Sequence, residues 1–207
     1  MQQEPLIFAT AGAGYYGREL VAEEVPRLQE VFDASPEYFL AMNGRLPQGH
    51  EAQGEFDDYP PAHLPYARRW FAGLFDEHHE MIGVVAVVSD FCATDVWYVA
   101  LFMIATRLQG KGVAREIYEA LEEWMRESGA RWIRLGVVQG NERAERFWTR
   151  QGFHEVRVRH ATEPDGRTTT IRVMVKPRNE VREMEFALEI EEYLTRVSRD
   201  RPESELP

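Results

Sequence analysis

The sequence predicts an α+β domain organised around a mixed, mostly antiparallel β-sheet, and two observations lead to that fold class. The apolar runs Met81–Ser89 and Val96–Ile104 are rich in β-branched and aromatic residues, and only six residues separate them, which predicts an antiparallel strand pair. The second run is followed by an amphipathic helix over Val113–Ser128 and by another apolar strand over Arg131–Val138. A strand, a helix and a further strand in one sheet predict a right-handed parallel crossover, which makes the sheet mixed.

The N-terminal part of the chain supplies a short strand and two helices. Leu6–Ala9 is apolar enough for a first strand, and the glycine-rich stretch 11–17 predicts a turn that leads into a helix near Leu20–Ala34. Ser35, followed directly by a proline, is a typical capping residue at a helix start, and an Asn-Gly pair is a typical stop. We therefore expect a second helix over Pro36–Asn43.

The remaining segments complete the sheet and add a helix. The stretch Arg45–Pro65 is rich in proline, glycine, histidine and acidic residues without periodicity, which predicts a long surface loop. Trp70–Phe75 predicts a strand, and the alternating segments His154–His160 and Thr168–Val175 predict a final hairpin. A polar helix over Asn179–Val197 closes the chain, and its partner is either the domain itself or a second subunit.

Composition and charge narrow the class of protein. A chain of 207 residues with 44% hydrophobic and 29% charged residues is typical of a soluble globular protein. The formal net charge of −11 disfavours a nucleic-acid partner and is consistent with a cationic or amine acceptor, although solubility alone also accounts for it. The single cysteine, Cys92, excludes an intramolecular disulfide. With no membrane-spanning run and no signal peptide, we expect a cytoplasmic protein without a membrane partner.

A cluster of cations at a helix start is the first sign of a binding site. Lys111 and Arg115 lie at the N-terminus of the helix that follows the central strand, and Arg107 precedes the turn. Helix N-termini carry a partial positive charge and favour acidic side chains, so cations there indicate a bound anion. Gly110 and Gly112 allow the backbone to approach that anion closely. The turn therefore predicts a phosphate-binding site.

A second basic cluster follows the predicted parallel strand. Arg143, Arg146 and Arg150 share one face of a helix by their spacing of three and four residues. The face either contacts an outlying phosphate of the same ligand or is solvated and paired with Glu142 and Glu145.

The residues of both clusters resemble the signature of the GNAT acyltransferase superfamily. The turn matches that family's Gln/Arg-x-x-Gly-x-Gly/Ala pattern through Gln109, Gly112 and Ala114. The second cluster is similar to its Asn-x-x-Ala…Gly-Phe segment at Asn141, Ala144, Phe147, Trp148, Gly152 and Phe153. The order of elements over about residues 5 to 176 agrees as well.

The resemblance implies a fold and a co-substrate. It implies a sheet of six to seven strands whose central parallel pair, Val96–Ile104 and Arg131–Val138, is splayed to hold acetyl-CoA. Helices are expected on both faces, with an extra helix at the C-terminus. The acyltransferase domain would cover residues 1–177, followed by a helical extension over residues 178–207. No metal is expected.

The resemblance also assigns roles to the cofactor-side residues. Amides of the turn would hold the pyrophosphate, main-chain groups of the central strand would hold the pantetheine arm and polarise the thioester carbonyl, and the second helix would contact the arm from the other side. The expected coenzyme A contacts are Phe102, Met103, Ile104, Gln109, Gly110, Lys111, Gly112, Val113, Ala114, Asn141, Arg143 and Phe147.

The implied reaction is acetyl transfer to an amine of a small molecule or peptide by direct attack on the thioester. A non-catalytic module that senses coenzyme A or binds a protein is the alternative. The chain has Trp148 where relatives often place a tyrosine as general acid, so neither the acid nor the base is assigned. Asp95 and Tyr98 are candidate bases by position, as are Asp90 and Glu37, and a structural role is the alternative for each.

The acceptor pocket of this family is built mainly by the first helices and their loop. That implies Tyr38, Phe39 and Asn43 as acceptor-side residues, together with Tyr59 in the loop. Ordinary core packing is the alternative for Tyr38 and Phe39. The oligomeric state is left open, with a homodimer as one option.

Overall fold

The computed structural model describes residues 6–12, 14–162, 166, 168–178 and 183–198. Within these described residues the chain forms two compact units, the first from residues between 6 and 61, 68 and 88, and 99 and 128, and the second from residues between 62 and 67, 89 and 98, and 129 and 198. None of the helices in the described part of the chain is long and apolar enough to span a membrane.

The helices and strands match the predicted segments except at residues 16–19, at residues 51–57 and at the start of the first helix. In chain order they are β1 (Leu6–Ala9), β2 (Tyr16–Glu19), α1 (Val25–Asp33), α2 (Pro36–Asn43), α3 (Glu51–Asp57), β3 (Arg68–Phe75), β4 (Met81–Ser89), β5 (Val96–Ile104), α4 (Val113–Glu127), β6 (Trp132–Val138), α5 (Glu142–Arg150), β7 (His154–Thr162), β8 (Thr168–Pro177) and α6 (Glu183–Ser198). The first four residues of the helix predicted at Asn179–Val197 lie outside the described residues.

The predicted fold class is confirmed. The eight strands that the described residues form belong to one sheet, in the order β1-β2-β3-β4-β5-β6-β8-β7, and β5 and β6 are its parallel pair. The expected number of six to seven strands was too low, because β2 was not predicted.

Strand β2 occupies the end of the stretch that the sequence predicted as a turn leading into the first helix. It pairs antiparallel with β3, with Tyr16 opposite Phe75 and Glu19 opposite Ala72. The helix α1 accordingly begins only at Val25. A strand of four residues is too short for its own periodicity to reveal it, and the pairing with β3 decides its conformation.

Helix α3 likewise lies inside the segment predicted as an unstructured loop. Ala52 is fully buried, and its backbone N–H donates to Gln29 Oε1 of α1 at 2.9 Å. The ring of Phe56 packs edge-on against Phe71 of β3, with 5.6 Å between the ring centroids. The predicted loop was wrong over residues 51–57 because these long-range contacts, rather than local propensity, stabilise the helix.

Helices cover both faces of the sheet in the first unit. Leu28, Phe32 and Phe39 of α1 and α2 belong to one core with Leu101 and Met103, which point to the same face of β5. Phe102 points to the opposite face, where its ring contacts Tyr118 of α4 with 6.2 Å between the centroids. The sheet of this unit is therefore packed on both sides.

The C-terminal helix packs against its own chain, which answers a question that the sequence left open. Tyr193 and Val197 of α6 share a core with Val96, Trp132 and Val175 in the second unit. Since α6 contributes to this core, its burial contributes to the stability of that unit. The division of the chain at residue 178 stays a prediction.

Candidate active site

The candidate site of the first unit begins where β5 ends. The Ala105 N–H donates to the Ile82 carbonyl at 2.8 Å, and a short 3-10 turn follows over Thr106–Leu108. The glycine turn, Gln109–Ala114, then leads into α4. Gly110 and Gly112 have φ of +75° and +85°, a backbone region that L side chains rarely adopt. This is the physical reason for the two glycines that the sequence singled out.

The surroundings of the glycine turn fit an anionic ligand. A Cβ atom added at Gly110 or Gly112 would have no heavy atom within 4 Å, so the turn borders open space. Gly112 is the N-cap of α4 and provides no side-chain cap, which leaves amides at this helix start for a ligand. Lys111 and Arg107 are exposed, and neither has an acidic partner among the described residues. Arg115 lies 3.6 Å from Glu119 in a solvent-exposed pair.

The side chain of Gln109 connects the glycine turn to the strand. Its Nε2 donates to the Ile104 carbonyl at 3.2 Å, while Oε1 is buried without a hydrogen-bond partner in the described part of the chain. The signature glutamine therefore fixes the distance between the end of β5 and the turn. Its amide also carries an unmet acceptor, which costs free energy in this state.

A glycine of β4 shapes the same end of β5, and its role was not predicted from the sequence. A Cβ atom at Gly83 would lie 2.2 Å from the Met103 carbonyl oxygen and 3.2 Å from Ile104 Cα. The backbone of β5 thus approaches β4 in a way that only glycine allows. A glycine inside an otherwise β-branched strand is a known sign of close backbone approach, so the signal was present in the chain.

In the second unit, Asn141 starts helix α5. Its Oδ1 accepts from the Ala144 N–H at 3.2 Å, which is an N-cap, and the Gly140 N–H donates to Glu145 Oε1 at 3.0 Å. Arg143 is exposed on this helix. The motif residue Asn141 therefore has a clear structural function in addition to the cofactor contact that the resemblance implies.

Trp148, where the chain departs from the pattern that the resemblance implies, is a core residue. It is 7% exposed, and its ring packs edge-on against Phe147 at 4.8 Å and Phe153 at 5.2 Å between centroids. This packing explains a tryptophan there without any part in proton transfer.

Candidate bases in the second unit have structural contacts, and Asp90 Oδ1 accepts from the Asp95 N–H at 2.8 Å. The Asp95 carboxylate lies 3.5 Å from Arg196 of α6, and its carbonyl accepts from the N–H groups of Arg131 and Trp132. The Tyr98 ring stacks on Phe91 with 4.9 Å between the centroids. These contacts favour the structural alternative for Asp95 and Tyr98, and a catalytic role for either stays a prediction.

The four predicted acceptor-side residues differ in exposure, and Tyr59 is exposed. Phe39 is 1% exposed and packs edge-on against Phe32 at 5.0 Å, so it lies in the core of the first unit. Tyr38 and Asn43 are partly exposed, and the Tyr38 ring packs against Phe39 at 5.3 Å. The core alternative accounts for Phe39, whereas Tyr38 and Asn43 remain accessible to a ligand.

A partly buried carboxylate on α3 was not selected from the sequence. The Glu55 carboxylate makes no hydrogen bond within the described residues, and Arg69 donates to the Glu55 main-chain oxygen at 2.7 Å. The Arg69 guanidinium also lies over the rings of Tyr59 and Phe71. Burial, with smaller contributions from the charges of neighbouring acidic residues, raises the pKa of Glu55 to about 7.

Solved structures of acetyltransferases share this fold. An acetyltransferase from Thermus thermophilus is 24% identical, with a TM-score of 0.56, over 86% of this chain and 99% of that chain. Spermidine N-acetyltransferase from Vibrio cholerae, solved with CoA and spermine, is 18% identical, with a TM-score of 0.58, over 80% and 96%. The Salmonella typhimurium enzyme that modifies the N-terminal serine of ribosomal protein L7/L12 is 14% identical, with a TM-score of 0.65, over 84% and 100%.

No curated protein matches the chain as a relative in sequence. A family model does match, and its description is the acetyltransferase (GNAT) family. The match covers residues 28–153, which include α2, the glycine turn and α5. On this match, the chain belongs to the GNAT acetyltransferase family.

Proposed function

We propose that this protein is an acetyl-CoA-dependent N-acetyltransferase that moves the acetyl group to an amine of a small molecule or peptide. The observation that carries the proposal is the glycine turn, where two left-handed glycines, open space and exposed cations come together at a helix start. Such an arrangement binds a diphosphate through backbone amides and long-range charge. Because the chain belongs to the GNAT acetyltransferase family, we infer that this diphosphate is that of coenzyme A.

Each cofactor-side residue has a chemical task in this proposal. Amides of the glycine turn bind the diphosphate, and Lys111 adds a positive charge beside it. Main-chain groups of Phe102 to Ile104 pair with the pantetheine arm and donate to the thioester oxygen as negative charge develops there. The predicted contacts of Asn141, Arg143 and Phe147 complete the set. Acetyl-CoA supplies the activated acetyl group, and the amine of the acceptor attacks it directly.

The proton transfers do not involve Trp148 in this proposal. The indole ring is packed among aromatic side chains and has no acidic proton suited to a thiolate. A thiol with an ordinary pKa of about 8.5 leaves as thiolate with solvent as the proton source. The incoming amine must lose a proton at neutral pH, and burial raises the pKa of Glu55 to about 7, a value suited to accepting that proton.

An amine acceptor agrees with the charge of the chain. The net charge of −11 attracts cationic acceptors and raises their local concentration. Two of the solved acetyltransferases concern amines as well, since one was solved with spermine and the other modifies an N-terminal serine. These properties belong to those proteins, and they support the class of acceptor rather than its identity.

Calorimetry and a thiol-release assay test the proposal. We expect CoA and acetyl-CoA to bind, and we expect free thiol to appear when acetyl-CoA is mixed with a panel of primary amines, polyamines and peptides. The core position of Trp148 also favours a second candidate, a module that binds coenzyme A without turnover. Binding without thiol release across the panel would identify that module, and absence of binding would exclude both functions.

A glycine substitution tests the site itself. Gly112→Asp places a carboxylate in the open space beside the proposed diphosphate, and two like charges about 4 Å apart repel by about 4 kcal/mol near a protein surface. We expect CoA to bind at least about 100-fold more weakly. Gly129→Asp is the matched control, because Gly129 also has a left-handed φ and open space but follows the other end of α4. Equal CoA affinity in the two variants would refute the proposed site.

A further inference from the structure

The residue that should cap helix α2 is used for another purpose. Ser35 occupies the N-cap position, yet its side chain makes no capping hydrogen bond. Its Oγ instead accepts from the Thr106 N–H at 3.3 Å, and Ser35 is fully buried. A serine cap typically stabilises a helix by about 1 kcal/mol. In this orientation Ser35 lacks that capping hydrogen bond and makes a long-range hydrogen bond to Thr106 in its place.

A second hydrogen bond joins the same two segments. Thr106 Oγ1 donates to Glu37 Oε2 of the first turn of α2 at 3.0 Å. Thr106 is thus held through both its backbone N–H and its side chain. We call Ser35, Glu37 and Thr106 the α2 clamp.

The α2 clamp lies directly before the glycine turn. The Thr106 carbonyl accepts from the Gln109 N–H at 3.1 Å, and Gly110 is the next residue. A shift of Thr106 would therefore move the first amide of the glycine turn. Helix α2 is a firm support for the clamp, because Phe39 fixes the helix in the core.

We infer that Ser35 and Glu37 are positioning residues that set the glycine turn in the geometry that binds the diphosphate of coenzyme A. The inference rests on the proposed function and goes beyond it by giving the acceptor-side helix α2 a part in cofactor binding. It also assigns Glu37 a role: its carboxylate accepts a hydrogen bond and does not act as the catalytic base.

Three variants separate the positioning role from a catalytic one. Thr106→Val and Glu37→Leu each remove the side-chain hydrogen bond of the clamp, and Glu37→Gln keeps an oxygen that accepts it. We expect the first two to raise the Kd for CoA and the KM for acetyl-CoA about threefold to tenfold, the effect of one lost hydrogen bond, with kcat unchanged. Glu37→Gln should restore the wild-type values. Glu30→Leu, at an exposed residue of α1, is the control.

Calorimetry measures the Kd for CoA, and steady-state kinetics on the full chain measures KM and kcat for each variant. Wild-type Kd values in Thr106→Val and Glu37→Leu would overturn the inference and leave the proposed function standing. A large fall of kcat in Glu37→Gln, with a flattened pH profile, would overturn it in favour of a catalytic base. If the wild-type protein binds no CoA, the proposed function and the inference both fail. Thermal unfolding of each variant checks that the fold is retained.

Discussion

The partly buried carboxylate of Glu55 makes a quantitative prediction about stability and pH. Its pKa is raised from 4.5 to about 7 in the folded chain, chiefly by burial. The folded protein therefore keeps this proton at pH values where the unfolded chain has released it. The contribution to stability is fully present below pH 4.5 and is lost as the pH rises to 7. At about 1.4 kcal/mol per pKa unit, the loss is about 3 kcal/mol.

The substitution Glu55→Gln removes this titration, since a carboxamide stays neutral. We expect the variant to equal the wild type in stability near pH 4.5 and to exceed it by up to about 3 kcal/mol at pH 8. Urea unfolding at several pH values measures the difference between the two proteins, which cancels the other titrating groups.

The control for Glu55 is Glu30→Gln, which removes the same charge from an exposed position. It should change stability by less than about 0.5 kcal/mol at every pH. A difference between the wild type and Glu55→Gln that does not vary with pH would refute the reasoning. If Glu55 also accepts the proton of the acceptor amine, the same variant loses the limb near pH 7 from its kcat/KM profile.

Three further substitutions probe other parts of the fold. Gly83→Ala should destabilise the protein by about 3 kcal/mol and impair acetyl transfer, because the new Cβ meets the Met103 carbonyl oxygen at 2.2 Å. The control is Gly54→Ala, in open space on α3, which should be neutral or stabilising when both variants are unfolded with urea. Trp148→Phe should retain its rate of thiol release, since the ring only packs, and a large loss of rate with intact folding would contradict this. Tyr193→Ala should lower the free energy of unfolding by about 3 kcal/mol, because the ring anchors α6; a stability close to that of the wild type would mean that α6 docks independently of it.

Local pattern was sufficient for much of this molecule. The strands β4 and β5, the helix α2 and the start of α4 lie at the residues that periodicity, capping and glycine signals predicted. The same signals located the glycine turn, because cations at a helix start indicate a bound anion and two closely spaced glycines indicate an unusual backbone conformation. These features are encoded by residues close together in the chain.

Contacts between distant residues account for the rest of the fold. Strand β2 exists because β3 pairs with it, and α3 exists because Gln29 and Phe71 contact it. Ser35 illustrates the difference most clearly. Its neighbours in the chain are enough to predict a helix start there. Only folding brings Thr106, 71 residues away, close enough to donate to the Ser35 hydroxyl, which then does not cap the helix. Burial of Glu55 and the close approach at Gly83 have the same origin, since both depend on neighbours that folding supplies.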